Sequence, residues 1–186
     1  MSYCYKIFWF IRAFFYKFIL GKVGFFTIIG KPIFLYNPKR IDIGNKVRIF
    51  PNSRFECHNK GRIVIRDNVS IGQNFHVTST NESLIINSGV IISGNVCITN
   101  IDHQYSDIAT PVSEQPLIFS ETLIGEDSFI GYGAVIQAGT RLGKHCVVGA
   151  NSTIKGDFPD YSVIVGSPGK VVKTFNHETG LWEKCN

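Results

Sequence analysis

The stretch LIGEDSFIGYGAVIQAGTRLGKHCVVGANSTI, residues 123–154, keeps a strict six-residue order. Ile124, Ile130, Ile136, Leu142, Val148 and Ile154 follow one another at steps of six. Two residues before each stands a small side chain: Thr122, Ser128, Ala134, Thr140, Cys146 and Ser152. Glycine follows four of the six, at Gly125, Gly131, Gly143 and Gly149. A strand repeats every second residue and a helix about every 3.6, so neither yields this unit. A short fixed period is the mark of a solenoid. The unit fits a triangular prism in which each hexapeptide supplies one short strand and one turn. The aliphatic side chain points into the narrow interior, and the small residue sits near the corner. Glycine is expected at the turn because it tolerates positive φ. Stacked coils pair their backbones above and below, so only the two ends expose edges.

Working toward the N-terminus, the same step recurs more weakly at Ile43 and Ile49, at Ile65, Ile71 and Val77, and at Ile86, Ile92 and Ile98. The phase slips between these groups imply loops bulging from corners near residues 51–62 and 78–84. The pattern then stops over HQYSDIATPVSEQPLIFSE, residues 103–121, which holds two prolines and no period. This is a long loop leaving the prism, and such loops in compact domains usually carry function.

Charge and aromatic content divide the 186-residue chain. Residues 1–40 hold seven Lys or Arg and no Asp or Glu, and 13 of the 24 aromatic residues fall before residue 37. The remaining 146 residues are slightly acidic, so the net charge of +5 belongs to the N-terminal segment. Within YCYKIFWFIRAFFYKFIL, residues 3–20, Lys6, Arg12 and Lys17 interrupt the apolar run. A spanning helix wants about 20 apolar residues with few charges, so a transmembrane span is rejected. A cleaved signal peptide is not expected either, because no A-x-A-like site follows. Two readings stay open: a helix lying at the inner face of the cytoplasmic membrane, or a helix packed on the body or a neighbouring subunit. The expected organisation is a basic aromatic segment at 1–40, a β-helix at 41–173 with its loop at 103–121, and a tail at 174–186. Cys4, Cys57, Cys97, Cys146 and Cys185 are odd in number and scattered, which argues for a reducing, cytoplasmic setting. The basic residues cluster with aromatics rather than across a folded surface, so no nucleic-acid partner is expected.

Three passages resemble the hexapeptide-repeat acyltransferase superfamily, in the branch of maltose, galactoside and xenobiotic acetyltransferases and close to polysaccharide O-acetyltransferases. They are ITNIDHQYSD at 98–107, the uninterrupted repeat at 123–154, and YSVIVGSPGKVV at 161–172. The likeness covers residues 30–173. The crossover rule by itself favours right-handed connections; the resemblance implies a left-handed parallel β-helix, all-β in class. It also implies a homotrimer with active sites between subunits and acetyl-CoA as acyl donor. His103 falls where the family's catalytic histidine begins the acceptor loop. Tyr132, Gly149, Ala150, Lys155, Ser167, Pro168 and Lys170 fall where CoA contacts are expected, with Lys173 a further cation. The run Lys155-Gly156-Asp157 and the presence of Phe129 depart from the family's common Thr-Lys-Asp and tryptophan.

An alcohol is a poor nucleophile at neutral pH, and a base with a pKa of about 6.5 suits its activation. His103 is therefore the expected general base. Asp102 is adjacent, but neighbouring strand side chains point to opposite faces, so it is not assigned as the orienting partner. His76, Glu82 and Tyr105 are candidates for the acceptor side, while His58, His145 and His177 read as surface positions. The expected acceptor is a sugar hydroxyl of a surface polysaccharide or its precursor. Alternatives are a free sugar or antibiotic, a sugar amine, or a binding solenoid without activity. A metal enzyme on this fold would need three histidine ligands; position 108 is Ile108 and no second histidine lies in the loop, so no metal is expected.

Overall fold

The computed structural model describes residues 4–185. Residues 1–3 of the N-terminal segment and residue 186 of the tail lie outside the described residues. Three parallel sheets form the faces of a left-handed β-helix. The first face stacks Lys22–Val23, Ile41–Ile43, Arg62–Ile65, Ser83–Ile86, Leu123–Ile124, Arg141–Leu142 and Asp157–Phe158. The second runs from Ile28–Ile29 through Phe129–Ile130 and Val147–Val148 to Ser162–Gly166. There Gly169–Asn176 and Leu181–Lys184 fold back antiparallel. The third stacks Phe34–Tyr36, Arg54–His58, His76–Thr80, Cys97–Thr99, Val135–Ile136 and Thr153–Ile154. Parallel pairing already starts where Lys22–Val23 meet Asp42–Ile43, inside the basic aromatic segment.

The interior is built as the hexapeptide order requires. Ile92, Ile130, Val148 and Ile164 stand in register through four successive coils, all buried. Full burial of each such side chain contributes about 1.5–3 kcal/mol. The small residues are buried too, and the hydroxyls of Thr122, Ser128 and Thr140 bond backbone carbonyls at the corner. Thr122 Oγ1 donates to the Thr99 carbonyl at 2.9 Å, and Thr140 Oγ1 to the Ile154 carbonyl at 3.1 Å.

The glycines act differently from the expectation. Positive φ falls two residues further on, at Asp127, Gly133, Gly139, His145 and Asn151. Gly125, Gly131, Gly143 and Gly149 are absent from the positive-φ residues; they are required by closeness. A Cβ at Gly143 would lie 2.5 Å from the Asp160 amide nitrogen, and one at Gly131 2.6 Å from that of Ala150. The next coil's backbone occupies the space a side chain would need.

The phase slips also resolve differently. No loops bulge at 51–62 or 78–84. Arg54–His58 and His76–Thr80 are instead five-residue strands paired along their whole length, from Arg54 with His76 to His58 with Thr80. They return through tight turns in which Asn59 and Asn81 take φ of 49° and 60°, a conformation that asparagine's short polar side chain tolerates.

The helix Cys4–Ile19 closes the N-terminal end of the prism. Ala13, Tyr16 and Leu20 pack onto the core, with Tyr16 and Leu20 over Ile29, Ile41, Ile43 and Phe55. Arg12 Nη1 donates to the Ile29 carbonyl at 3.2 Å, and Lys39 Nζ to that of Phe18 at 2.6 Å. No helix among the described residues is long and apolar enough to cross a membrane.

Candidate active site

Chain departure from the prism is controlled by Asn100, which follows the strand Cys97–Thr99 and is fully buried. Its Oδ1 accepts the Thr80 N–H at 2.8 Å, and its Nδ2 donates to Ser79 Oγ at 3.2 Å and the Thr80 carbonyl at 3.3 Å. Its own carbonyl accepts the Ser120 N–H at 3.0 Å, so one residue holds both feet of the loop. Beyond it, Ile101–His103 pairs antiparallel with Leu117–Phe119, His103 opposite Leu117. The tip is braced from within. Gln115, itself buried, donates Nε2 to the carbonyls of Asp107 and Thr110 at 2.8 and 2.7 Å. Asp107 accepts from Thr110 Oγ1 and the Ala109 N–H, which hold its carboxyl below the usual range. The 103–121 stretch is thus an ordered hairpin with a short 3-10 turn at Val112–Glu114.

His103 stands exposed on this hairpin. Asp102 Oδ1 accepts the backbone N–H of His103 at 2.9 Å, and Asp102 Oδ2 lies 3.9 Å from Lys155 Nζ. No hydrogen bond to the His103 imidazole occurs among the described residues.

The residues expected to touch CoA separate into groups. Tyr132, Gly149 and Ala150 lie at the corner between the second and third faces, one coil apart, where the Asn151 N–H donates to the Tyr132 carbonyl at 2.8 Å. The Tyr132 hydroxyl accepts from Asn95 Nδ2. The turn carrying Ser167 and Pro168 continues this corner, with the Gly166 N–H donating to Ser152 Oγ at 3.0 Å. Lys170 lies on the returning strand opposite Val165. Lys155 is elsewhere, past the end of the third face beside Asp102. A Cβ at Gly149 would meet Val165 Cγ1 at 2.8 Å, so that position stays bare.

His76, expected from the sequence to face the acceptor, belongs to a cluster that sequence reading only half found. Glu56 on the neighbouring strand accepts from Arg54 Nε, and its two oxygens lie 3.0 Å from His76 Nε2 and 3.2 Å from His58 Nε2. Thr78 Oγ1 sits 3.1 Å from His76 Nε2. The hydrogen bond from Arg54 outweighs burial, and with the two imidazoles brings the Glu56 carboxyl down to about 2. The link from Glu56 to His76 is not legible in the sequence because the two lie 20 residues apart on successive coils. The i, i+2 alternation of Arg54, Glu56 and His58 within one strand was the available signal. Glu82 and Tyr105 are exposed, on a turn and on the loop respectively. His76 opens the strand His76–Thr80 on the third face, Glu82 stands on the turn past its other end where the chain passes to the first face, and Tyr105 belongs to the separate loop.

Cys57 and Cys146 are buried, and burial pushes the Cys57 thiol up to about 11. Among the described residues no three His, Cys, Asp or Glu side chains converge in an arrangement fit for a metal ion.

A left-handed β-helix interrupted by one ordered hairpin with a histidine at its root defines the class of hexapeptide acyltransferases. Residues 121–156 match the family model described as bacterial transferase hexapeptide, six repeats. An Escherichia coli (strain K12) protein that carries the name lipopolysaccharide biosynthesis O-acetyl transferase WbbJ is 33% identical over 165 residues, covering 85% of this chain and 84% of its own. AntD, an N-acyltransferase from Bacillus cereus solved with dTDP and coenzyme A, shares the fold at a TM-score of 0.76 and 22% identity, over 88% of this chain and 89% of its own. A galactoside acetyltransferase in complex with coenzyme A does so at a TM-score of 0.61 and 22% identity, over 90% and 71%. The chain belongs to the hexapeptide-repeat acyltransferases. It is an acetyltransferase of that family.

Proposed function

We propose that this enzyme moves an acetyl group from acetyl-CoA to a sugar hydroxyl of a bacterial surface polysaccharide or its precursor, on the cytoplasmic side. The single observation that carries the reading is His103, exposed at the root of a hairpin whose two feet Asn100 holds. The imidazole takes the proton from the acceptor hydroxyl as that oxygen attacks the thioester carbonyl. The tetrahedral oxyanion is stabilised by a backbone N–H in the cleft. On collapse the C–S bond breaks, and the CoA sulfur leaves with the proton that His103 returns. No acyl-enzyme is needed, because both substrates are held together.

The bare corner of Tyr132, Gly149, Ala150, Ser167 and Pro168 suits a pantetheine arm. Lys170 and Lys155 offer cations for phosphates. His76, backed by Glu56, together with Glu82 and Tyr105 would read the acceptor. A homotrimer would bring the exposed hairpin against a neighbour and complete the cleft. The name of the E. coli relative favours a hydroxyl of a lipopolysaccharide sugar.

A second reading, transfer to a sugar amine, is favoured by the match in shape to AntD; the same base would serve. The test is release of free CoA from acetyl-CoA by wild type and His103→Ala, against surface glycans, free sugars and amino sugars. Histidine-dependent release with a hydroxyl acceptor supports the proposal, and release only with amines moves it to the second reading. A folded His103→Ala protein that keeps wild-type turnover overturns the base.

A further inference from the structure

The helix Cys4–Ile19 has two apolar faces, and the prism uses one. Trp9, Ala13, Tyr16 and Leu20, at i, i+4, i+7 and i+11, turn toward the body; Ala13 and Leu20 are buried and the other two half-buried. Ile7, Ile11, Phe14, Phe15 and Phe18, at i, i+4, i+7, i+8 and i+11, form the opposite stripe and are all exposed, Phe18 at 69%. The stripe continues onto the first coil. Phe25 and Phe26 are exposed at 71% and 75% on a turn that shares a hollow with Phe10 and Phe14. Monomeric proteins rarely leave so continuous an apolar face to water, and such patches mark contact surfaces.

Cations border the stripe. Lys6 and Lys17 lie along one edge at i and i+11, and Lys17 Nζ stands 4.9 Å over the Phe25 ring. Lys6 also lines a hollow with Phe26, Lys46 and Arg48. Asp67, a carboxylate adjoining this side, is engaged by the backbone and side-chain amides of Asn45. Residues 1–41 contain no acidic residue at all. A second copy seated face to face on this patch would therefore set Lys and Arg against Lys and Arg. The complementary surface is negative and apolar.

We infer that the outer face of the helix Cys4–Ile19, continued by Phe25 and Phe26 and bordered by Lys6, Lys17, Lys46 and Arg48, docks the end of the β-helix on an anionic lipid bilayer. The aromatics enter the headgroup and acyl boundary while the lysines stay at phosphate level. This anchors the prism by its N-terminal cap and leaves the hairpin at residues 103–121, several coils away, free to act. The inference does not depend on the acetyl-transfer reading.

The test is flotation of the full chain with phosphatidylcholine vesicles, with and without about one third phosphatidylglycerol. The wild type is expected to float with the anionic vesicles and to detach as salt is raised. Ile11→Glu, Phe15→Glu and Phe18→Glu together, all solvent-facing, should weaken binding about 100-fold or more. Lys6→Gln with Lys17→Gln should weaken it about fivefold per cation. CoA release with a soluble sugar should be unchanged in both variants, which separates loss of docking from loss of catalysis. Failure of the wild type to float, or equal flotation of the triple variant, overturns the proposal. So does a triple variant that changes oligomeric mass while vesicle binding stays as in wild type, since the face would then join copies of the chain.

Discussion

The carboxylate of Asp102 accepts the backbone N–H of His103 at 2.9 Å and bears no bond to the imidazole. The acid adjacent to the candidate base therefore shapes the strand that carries it and does not orient its ring. An orienting acid would carry a large share of the base's effect. Asp102→Asn is expected to lower kcat/KM within about tenfold, against about 100-fold or more for His103→Ala. Steady-state CoA release on the two variants side by side checks this; equal losses would make Asp102 the partner of the imidazole in the assembled enzyme.

Asn100 predicts a second outcome. Removing a buried group that satisfies three neighbours leaves the Thr80 N–H, the Ser79 hydroxyl and the Thr80 carbonyl short of a partner. Asn100→Ala should destabilise the protein by about 2–3 kcal/mol and loosen both feet of the loop. Limited proteolysis should then cut within residues 104–114 well before the coils are lost.

Glu56 gives the pH dependence. Its carboxyl is held at about 2 against 4.5 for a free side chain, chiefly by Arg54 and then by His76 and His58. The folded value is depressed, so the stabilisation is full above about 4.5 and disappears as pH falls toward about 2, with an upper size of about 3 kcal/mol. Glu56→Gln should lower the melting temperature at pH 6, and the gap to wild type should narrow through that acid window. A constant gap would place the effect in packing.

The two kinds of corner residue predict opposite responses. Gly143→Ala forces a Cβ to 2.5 Å from the Asp160 nitrogen and should destabilise by about 3 kcal/mol. Asp127 holds φ at 55°, where glycine is at ease, so Asp127→Gly should change stability by less than about 1 kcal/mol. Thermal melts of the two variants decide whether coil spacing or φ imposes the glycines.

Much was legible before any coordinates. The unbroken step from Ile124 to Ile154 gives one buried residue per face and points to the prism, because a fixed short period marks a stacked solenoid. The break at His103 marks the hairpin for the same reason: a segment without the period cannot join the stack. Tertiary structure alone decided what depends on residues one coil apart. Glu56 meets His76 across 20 residues, Lys155 meets Asp102 across 53, and Gly143 faces the backbone of Asp160. The lengthened strands at Arg54–His58 and His76–Thr80 shift the register that a strict count of six would assume. The sequence alone determined the hydrophobic period and the charge of the first 40 residues, since both are local properties of the chain. Which apolar face of the N-terminal helix meets the prism, and which is left outward, follows only from packing, because both faces are hydrophobic and only the fit over Ile29, Ile41 and Phe55 distinguishes them.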